Sequence, residues 1–183
     1  MIISASATIK PLPNTDNIIV KFYLGERVHP SRYTIDDVWR FSYEQLEKTH
    51  DYIQWIFPLT IPSSHVQDIP ILNKEEVHEF RTNEILRPKV LNSFRLMLNF
   101  YGFEMTGDTI IPSPEFKNQS GWLYPKNHNY LRISRILESL LLLGFRDESE
   151  TFLSALISIY PDFRWDIGES LSVWKKILDR TMY

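Results

Sequence analysis

The sequence predicts an all-α fold: a compact single-domain helical bundle of about seven helices with two proline-rich loops. Apolar residues recur at helical spacing over most of the chain, helix-capping residues stand where several of these runs begin, and prolines interrupt two long segments, 58–73 and 104–126. At 183 residues with 43% hydrophobic content, the chain is long enough for one substantial core. We expect one helical domain over residues 15–183, preceded by an irregular N-terminal arm over residues 1–14.

The composition argues against several classes of protein. The net charge of −3 and the pI of about 6.0 give no overall basic field, so we expect no nucleic-acid binding. The absence of cysteine excludes disulfides, thiol catalysis and thiolate metal sites. The longest aliphatic run, Leu140–Leu143, is far shorter than the roughly 20 apolar residues of a membrane-spanning helix. The N-terminal sequence does not resemble a signal peptide. We therefore expect a soluble, intracellular, cytoplasmic protein without a transmembrane segment, cofactor or metal.

The first predicted element is a helix over Ile18–Leu24. Asp16 or Asn17 is suited to cap its beginning, and Gly25 ends it. The β-branched and aromatic content of this run also allows a strand. Helical neighbours on its C-terminal side favour the helix.

A longer helical pattern starts at Thr34 or Asp36 and continues to Thr49. A further short helix over His50–Phe57 ends before Pro58, and residues 58–73 form an ordered loop or lid. The predicted inward face of the longer pattern contains Ile35, Val38, Trp39, Ser42, Tyr43 and Leu46.

Two helices are predicted in the middle of the chain. Asn73 is a good N-cap for the first, which runs to about Arg81. The regular part of the second begins near Arg87, because Pro88 fits best in a first turn, and Gly102 ends it. Its apolar face comprises Val90, Phe94, Met97, Leu98 and Tyr101.

The segment 104–126 predicts a small hairpin at Gly107-Asp108, with a strand at Ile110-Ile111, and its prolines argue against helix. After it, Asn127 is expected to cap a central helix that runs to Leu143. The apolar stripe of this helix contains Ile133, Ile136, Leu137, Leu140 and Leu141, widened by Leu131, Leu142 and Leu143.

Two more helices complete the prediction. Asp147 and Glu150 resemble a capping box for a helix over Glu148–Tyr160, which Pro161 ends. The last helix runs from about Glu169 to Thr181. Its inward residues are Leu171, Trp174, Ile177 and Leu178.

An aromatic cluster around Trp55 has two interpretations. Tyr52, Trp55 and Ile56 either anchor their helix on the central helix or form an aromatic cleft for an apolar peptide, with the loop 58–73 as its rim. Aromatic stripes are usually part of a core, which favours the first interpretation.

A polar stripe on the central helix also has two interpretations. His128, Arg132, Arg135 and Ser139 share one helical face, and the helix N-terminus beside His128 favours anions. The stripe either binds an anion or a peptide carboxylate, or its arginines hold loops and pair with nearby acidic residues. The predicted ligand-binding residues are His128, Asn129, Arg132, Arg135, Tyr52 and Trp55; no residue is predicted to be catalytic.

Four stretches together carry a family resemblance. They are YEQLEKTHDYIQWIFPL (Tyr43–Leu59), EEVHEF (Glu75–Phe80), FRLMLNFYGF (Phe94–Phe103) and NHNYLRISRILESL (Asn127–Leu140). In this order they resemble the conserved N-terminal region of the opioid growth factor receptor family, over roughly residues 22–144. Pro88 departs from the family pattern.

The resemblance implies a non-enzymatic interaction or receptor-like domain that binds a peptide or protein partner. Animal members are described as receptors for a short enkephalin peptide that act on cell growth at the nuclear envelope. We expect a family member that consists of this domain alone. The growth-regulatory function does not transfer to it as a whole, and a nuclear location rests only on analogy with the family. The alternative is a small-anion binder or an enzyme that uses the face of His128, Arg132 and Arg135.

Overall fold

The computed structural model describes residues 18–62 and 69–180, apart from the side chains of residues 164–166. Within these residues the fold is predominantly helical, as predicted, but it has more helices than seven, together with one small antiparallel hairpin. The predicted arm over 1–14 and the caps at Asp16 or Asn17 lie outside the described residues. The elements are α1 (Ile18–Leu24), α2 (Ile35–Val38), α3 (Tyr43–Lys48), α4 (Ile53–Ile56), α5 (Lys74–Thr82), α6 (Leu86–Phe100), β1 (Phe103–Thr106), β2 (Thr109–Pro112), α7 (Phe116–Gln119), a 3-10 helix (Ser120–Trp122), α8 (Asn129–Leu142) and α9 (Arg146–Asp179).

The run Ile18–Leu24 is a helix and not a strand, because its apolar side chains pack against two other helices. Phe22 lies edge-on to Trp55 of α4, with 5.2 Å between the ring centroids. The Tyr23 hydroxyl donates to the carbonyl of Ile56, and Lys89 Nζ of α6 donates to the carbonyl of Tyr23 at 2.6 Å. The Lys89 contact gives the Tyr23 carbonyl at the end of α1 a hydrogen-bond donor, while the apolar face of α1 is buried.

The predicted continuous helix over residues 34–49 is wrong: it is two helices, α2 and α3, with a break between them. Ser42 begins α3, because its hydroxyl accepts from the Gln45 amide N–H at 3.2 Å and Gln45 Oε1 accepts from the Ser42 amide N–H at 2.8 Å. This capping box favours a new helix start over continuation. Tyr43, predicted to face inward, is therefore 47% exposed.

The middle of the chain follows the prediction closely. Asn73 caps α5 through a capping box with Glu76, and Pro88 lies in the first turn of α6. The hairpin forms at Gly107-Asp108, with Phe103 opposite Pro112. The short helix α7 and the 3-10 helix were not predicted, because each is too short to show a periodic pattern.

Helix α8 has the predicted buried stripe, with two differences. The N-cap is His128 and not Asn127, whose side-chain oxygen instead accepts from the Asn129 amide N–H at 2.7 Å. Leu131 does not widen the stripe, since it is 57% exposed. Its position on the helix faces away from the packed neighbours.

Helix α9 contains both of the predicted C-terminal helices, broken at Phe163, whose φ of −125° and ψ of 24° are not helical. Pro161 lies in the last turn before this break. The predicted capping box of Asp147 and Glu150 is wrong, because Phe145 is the N-cap and makes no side-chain capping bond, while Glu150 pairs with Arg146 at 2.7 Å.

The buried apolar side chains form one contiguous cluster that draws on α1 through α9 and both strands. The two halves of α9 pack on α8, where the Trp174 indole N–H donates to Ser134 Oγ at 3.0 Å. Among the described residues, no helix is both long and apolar enough to cross a membrane.

Candidate functional site

The C-terminal end of α3 meets the N-terminal end of α8 at Arg132. This side chain is only 5% exposed, and its guanidinium donates to three backbone carbonyls. Nη1 donates to Leu46 at 2.9 Å, and Nη2 donates to Thr49 at 2.9 Å and to Glu47 at 3.3 Å. The backbone at Thr49 is already extended, so these carbonyls lie where an ending helix leaves acceptors without intrahelical donors. Arg132 therefore fixes the end of α3.

A buried amide holds the Glu47 carboxylate beside this guanidinium. Asn129 is fully buried, and its Nδ2 donates to Glu47 Oε2 at 2.9 Å. Asn129 Oδ1 accepts from Arg132 Nη1 at 3.1 Å and from the Tyr101 hydroxyl at 3.4 Å. Arg132 Nη1 itself is 4.0 Å from Glu47 Oε2. The buried Asn129 amide thus fixes the position of Glu47 Oε2.

One histidine lies beside the same carboxylate, and a second histidine packs on the first. His128 Nε2 lies 3.4 Å from Glu47 Oε1, and the His128 ring is edge-on to His50, with 5.3 Å between centroids. Burial lowers the pKa of His128, and the charge of Arg132 lowers it further, against the opposing effect of Glu47. His50 Nδ1 accepts from Arg132 Nη2 at 3.2 Å. Among the side chains that the structure describes, no three His, Asp or Glu residues are grouped so as to hold a metal ion.

Further along α8, the polar stripe contacts the backbone that follows α4. Arg135 Nε donates to the Phe57 carbonyl at 2.7 Å, and the Ser139 hydroxyl donates to the Pro58 carbonyl at 2.9 Å. Burial lowers the pKa of Arg135, with Glu138 acting in the opposite direction. The stripe therefore holds segment 46–58 against α8, which agrees with the loop-holding interpretation.

The two aromatic residues of the predicted site are in the core. Tyr52 is fully buried, and its hydroxyl donates to the Leu46 carbonyl at 3.2 Å. Trp55 is 4% exposed and packs on Phe22 and on His29, with ring centroids 5.2 and 4.6 Å apart. Of the six predicted residues, the structure brings together His128, Asn129, Arg132 and Tyr52 at the end of α3. Arg135 and Trp55 lie apart from them.

A cleft that the sequence analysis did not identify adjoins this group. It has a volume of about 210 Å³ and lies between α3, the end of α6 and the α7 region. Tyr43 lies edge-on to Phe100 with centroids 6.2 Å apart, and Gln119 Nε2 donates to the Tyr43 hydroxyl at 2.9 Å. The lining residues are Tyr43, Glu47, Phe100, Asn118, Gln119, Gly121 and Trp122.

Comparison with known proteins agrees with the resemblance seen in the motifs. The family model described as the opioid growth factor receptor (OGFr) conserved region matches residues 13–160. The human protein named opioid growth factor receptor is 34% identical over 178 residues, which are 93% of this chain and 25% of that protein. The mouse protein of the same name is 35% identical over 139 residues, covering 72% of this chain and 22% of that protein.

A protein from Xenopus tropicalis, named opioid growth factor receptor-like protein 1, is 30% identical over 163 residues, or 83% of this chain and 30% of that protein. The chain therefore spans between a fifth and a third of the length of these relatives. No solved structure matches the chain.

Proposed function

The chain belongs to the opioid growth factor receptor family, and we propose that it is a receptor-like binding domain whose ligand is a peptide or a peptide segment of a protein partner. The relatives are named as receptors of a growth factor, and this chain matches only part of each of them. The proposal is therefore made for this domain and not for the activity of the whole relatives.

The observation that carries the proposal is the cleft between α3 and α7. Aromatic side chains line it, as in many peptide-binding grooves, because rings offer large apolar area at a low cost in conformational entropy. Tyr43 stands at its edge and is 47% exposed, so its ring is accessible to a ligand. The cleft also has amide groups at Asn118 and Gln119, which are suited to hydrogen bonds with a peptide backbone.

The polar network behind the cleft supports the same proposal. Arg132 and Asn129 are buried and fix the end of α3, so Glu47 reaches the cleft from a rigid support. A fixed wall costs a ligand less ordering entropy than a mobile one. In this proposal the predicted site residues His128, Asn129 and Arg132 position the binding surface, and Tyr43 and Glu47 belong to it.

The alternative of a small-anion site on the α8 stripe receives less support. An anion needs donors that face solvent, whereas Arg132 is buried and donates to backbone carbonyls. The nearest acidic group, Glu47, would also repel an anion. We accordingly propose that the domain acts by binding and not by catalysis.

The test is binding of a short enkephalin peptide, labelled with fluorescein at its C-terminus, followed by fluorescence anisotropy. Wild type is expected to bind saturably, and Tyr43→Ala should weaken binding about 10-fold or more, as for removal of a large aromatic contact residue. Tyr160→Ala is the matched control, because Tyr160 is also an exposed tyrosine but lies on α9.

Thermal melts of both variants establish that they remain folded. Inorganic phosphate is titrated in parallel to test the anion alternative. Absence of saturable peptide binding by wild type would overturn the proposal, and equal loss in the two tyrosine variants would overturn the assignment to the cleft.

A further inference from the structure

Resting on the proposed function, we infer that the cleft recognises a positively charged nitrogen group next to an apolar or aromatic group, with Glu47 as the counter-ion. Two sources have this chemistry in a peptide: the free amino terminus and a lysine side chain. The experiment below separates them.

The position of the Glu47 carboxylate is the first argument. The side chain is 40% exposed and lines the cleft, while its Oε2 is held at 2.9 Å by the fully buried Asn129 amide. A carboxylate has room for about four hydrogen bonds, so one bond from Asn129 leaves acceptor capacity for a ligand. Since Asn129 fixes its direction, a ligand would not need to order Glu47 on binding.

The charges around Glu47 are the second argument. Arg132 is the nearest guanidinium, at 4.0 Å, but it also faces the carbonyls of Leu46 and Thr49 at the end of α3. The partial negative charges of these carbonyls compensate the charge of Arg132 in part. His128, at 3.4 Å, has a pKa lowered chiefly by burial, which favours its neutral form. The Glu47 carboxylate is therefore only partly compensated by Arg132, and its exposed part lies toward the cleft.

The aromatic lining is the third argument. Tyr43, Phe100 and Trp122 all line the cleft beside Glu47. The faces of aromatic rings attract cations, and their area accommodates the apolar part of the same ligand. A carboxylate among aromatic rings is a general arrangement for an ammonium group, whereas an anion would meet repulsion from Glu47 and gain little from the rings.

The experiment compares five probes on wild-type protein by isothermal titration calorimetry. An enkephalin peptide with a free amino terminus is compared with its N-acetylated form, and an N-acetylated peptide with an added lysine tests the second source. Tyramine is compared with tyrosol, the neutral analogue in which a hydroxyl replaces the amine, so that the cation requirement is measured without a peptide.

The key variant is Glu47→Gln, which removes the charge but leaves an amide oxygen to accept from Asn129. Glu44→Gln is the matched control, because Glu44 lies on the same helix and pairs with the exposed Lys48 at 2.6 Å. We expect Glu47→Gln to weaken the binding of each cationic probe about 10- to 100-fold, as for loss of a charge-assisted contact, and Glu44→Gln to leave it unchanged.

The outcomes separate the two proposals. Peptide binding that is indifferent to acetylation and to Glu47→Gln would overturn the cation inference and leave the proposed function standing. Failure of the peptides together with tyramine-selective, Glu47-dependent binding would overturn the proposed function and uphold the cation site. Equal weak binding of tyramine and tyrosol, with no effect of Glu47→Gln, would overturn the inference.

Discussion

At the scale of single residues, Arg132 is the side chain that connects α8 to the end of α3. It was predicted as a ligand-binding residue, and that role stays a prediction; what the structure shows is a buried guanidinium that donates to three carbonyls of segment 46–49. Without the guanidinium each of these carbonyls would lose a donor, and only that of Leu46 would keep the Tyr52 hydroxyl named above; loss of a donor to an acceptor away from water is costly. A lysine could not replace it, because one ammonium group lacks the planar set of donors that reaches all three.

We predict that Arg132→Met lowers the free energy of unfolding by about 3–5 kcal/mol, as for removal of one partner from a buried charged network. Urea denaturation measures it. Arg180→Met is the control and should change stability by no more than about 1 kcal/mol, since Arg180 is an exposed partner of Glu138. Similar effects of the two substitutions would show that Arg132 is not structural.

The two histidines with lowered pKa values make stability depend on pH. Burial lowers the folded-state pKa of His128 and of His29 below the ordinary value of 6.5. The groups that act on His128 are Glu47 from α3, His50 and Arg132. Because the unfolded chain binds more protons as pH falls through 6.5, acidification favours unfolding.

We therefore predict that the free energy of unfolding decreases from pH 7.5 to pH 5.5, measured by urea denaturation at each pH, with a smaller decrease in His128→Gln than in wild type. Stability that rises on acidification, or a decrease of the same size in both proteins, would contradict this role of His128.

At the scale of elements, the cleft depends on how closely α7 approaches the end of α6. Gly102, with a φ of +81°, follows α6, and a Cβ atom there would lie 3.0 Å from Phe116 Cα. The Gly102 carbonyl also accepts from the Ser113 amide N–H at 2.8 Å. Glycine at this position therefore allows the close contact that places Asn118 and Gln119 in the cleft.

A pair of glycine substitutions tests this packing. Gly25 has nearly the same φ, +82°, but an added Cβ would meet nothing within 4 Å. Gly25→Ala should cost about 1–2 kcal/mol for the left-handed backbone alone. Gly102→Ala should cost a further 1–3 kcal/mol or so from overpacking, measured by urea denaturation. Equal costs would mean that the contact between Gly102 and α7 relaxes easily.

At the scale of the whole molecule, the sequence predicts those helices whose apolar residues recur at helical spacing because one face is buried. The stripe Ile133, Ile136, Leu137 and Leu140 identified α8 because one helical face meets a continuous core. The break before α3 was missed because the periodic pattern runs across it, whereas the Ser42 and Gln45 capping pair is a local signal of a helix start.

The site was only partly predictable for a different reason. The residues of the polar stripe were found from their spacing, but the partners of Arg132 and Arg135 are backbone carbonyls, which no side-chain pattern identifies. The cleft joins Tyr43, Phe100 and Trp122 from three distant segments, so only the fold brings them together. One sequence signal points to the cleft: Tyr43 and Glu47 are four residues apart, so they share a face of α3.

The most direct test of the account is an NMR titration of the ¹⁵N-labelled domain with the unlabelled enkephalin peptide. If the cleft binds the peptide, the resonances of Tyr43, Glu47, Gln119 and the Trp122 indole N–H will shift with one common saturation curve. The indole N–H of Trp174, which lies between α8 and α9, will not shift. Shifts confined to another surface, or no shifts at saturating peptide, would contradict the proposal that this cleft is the binding site.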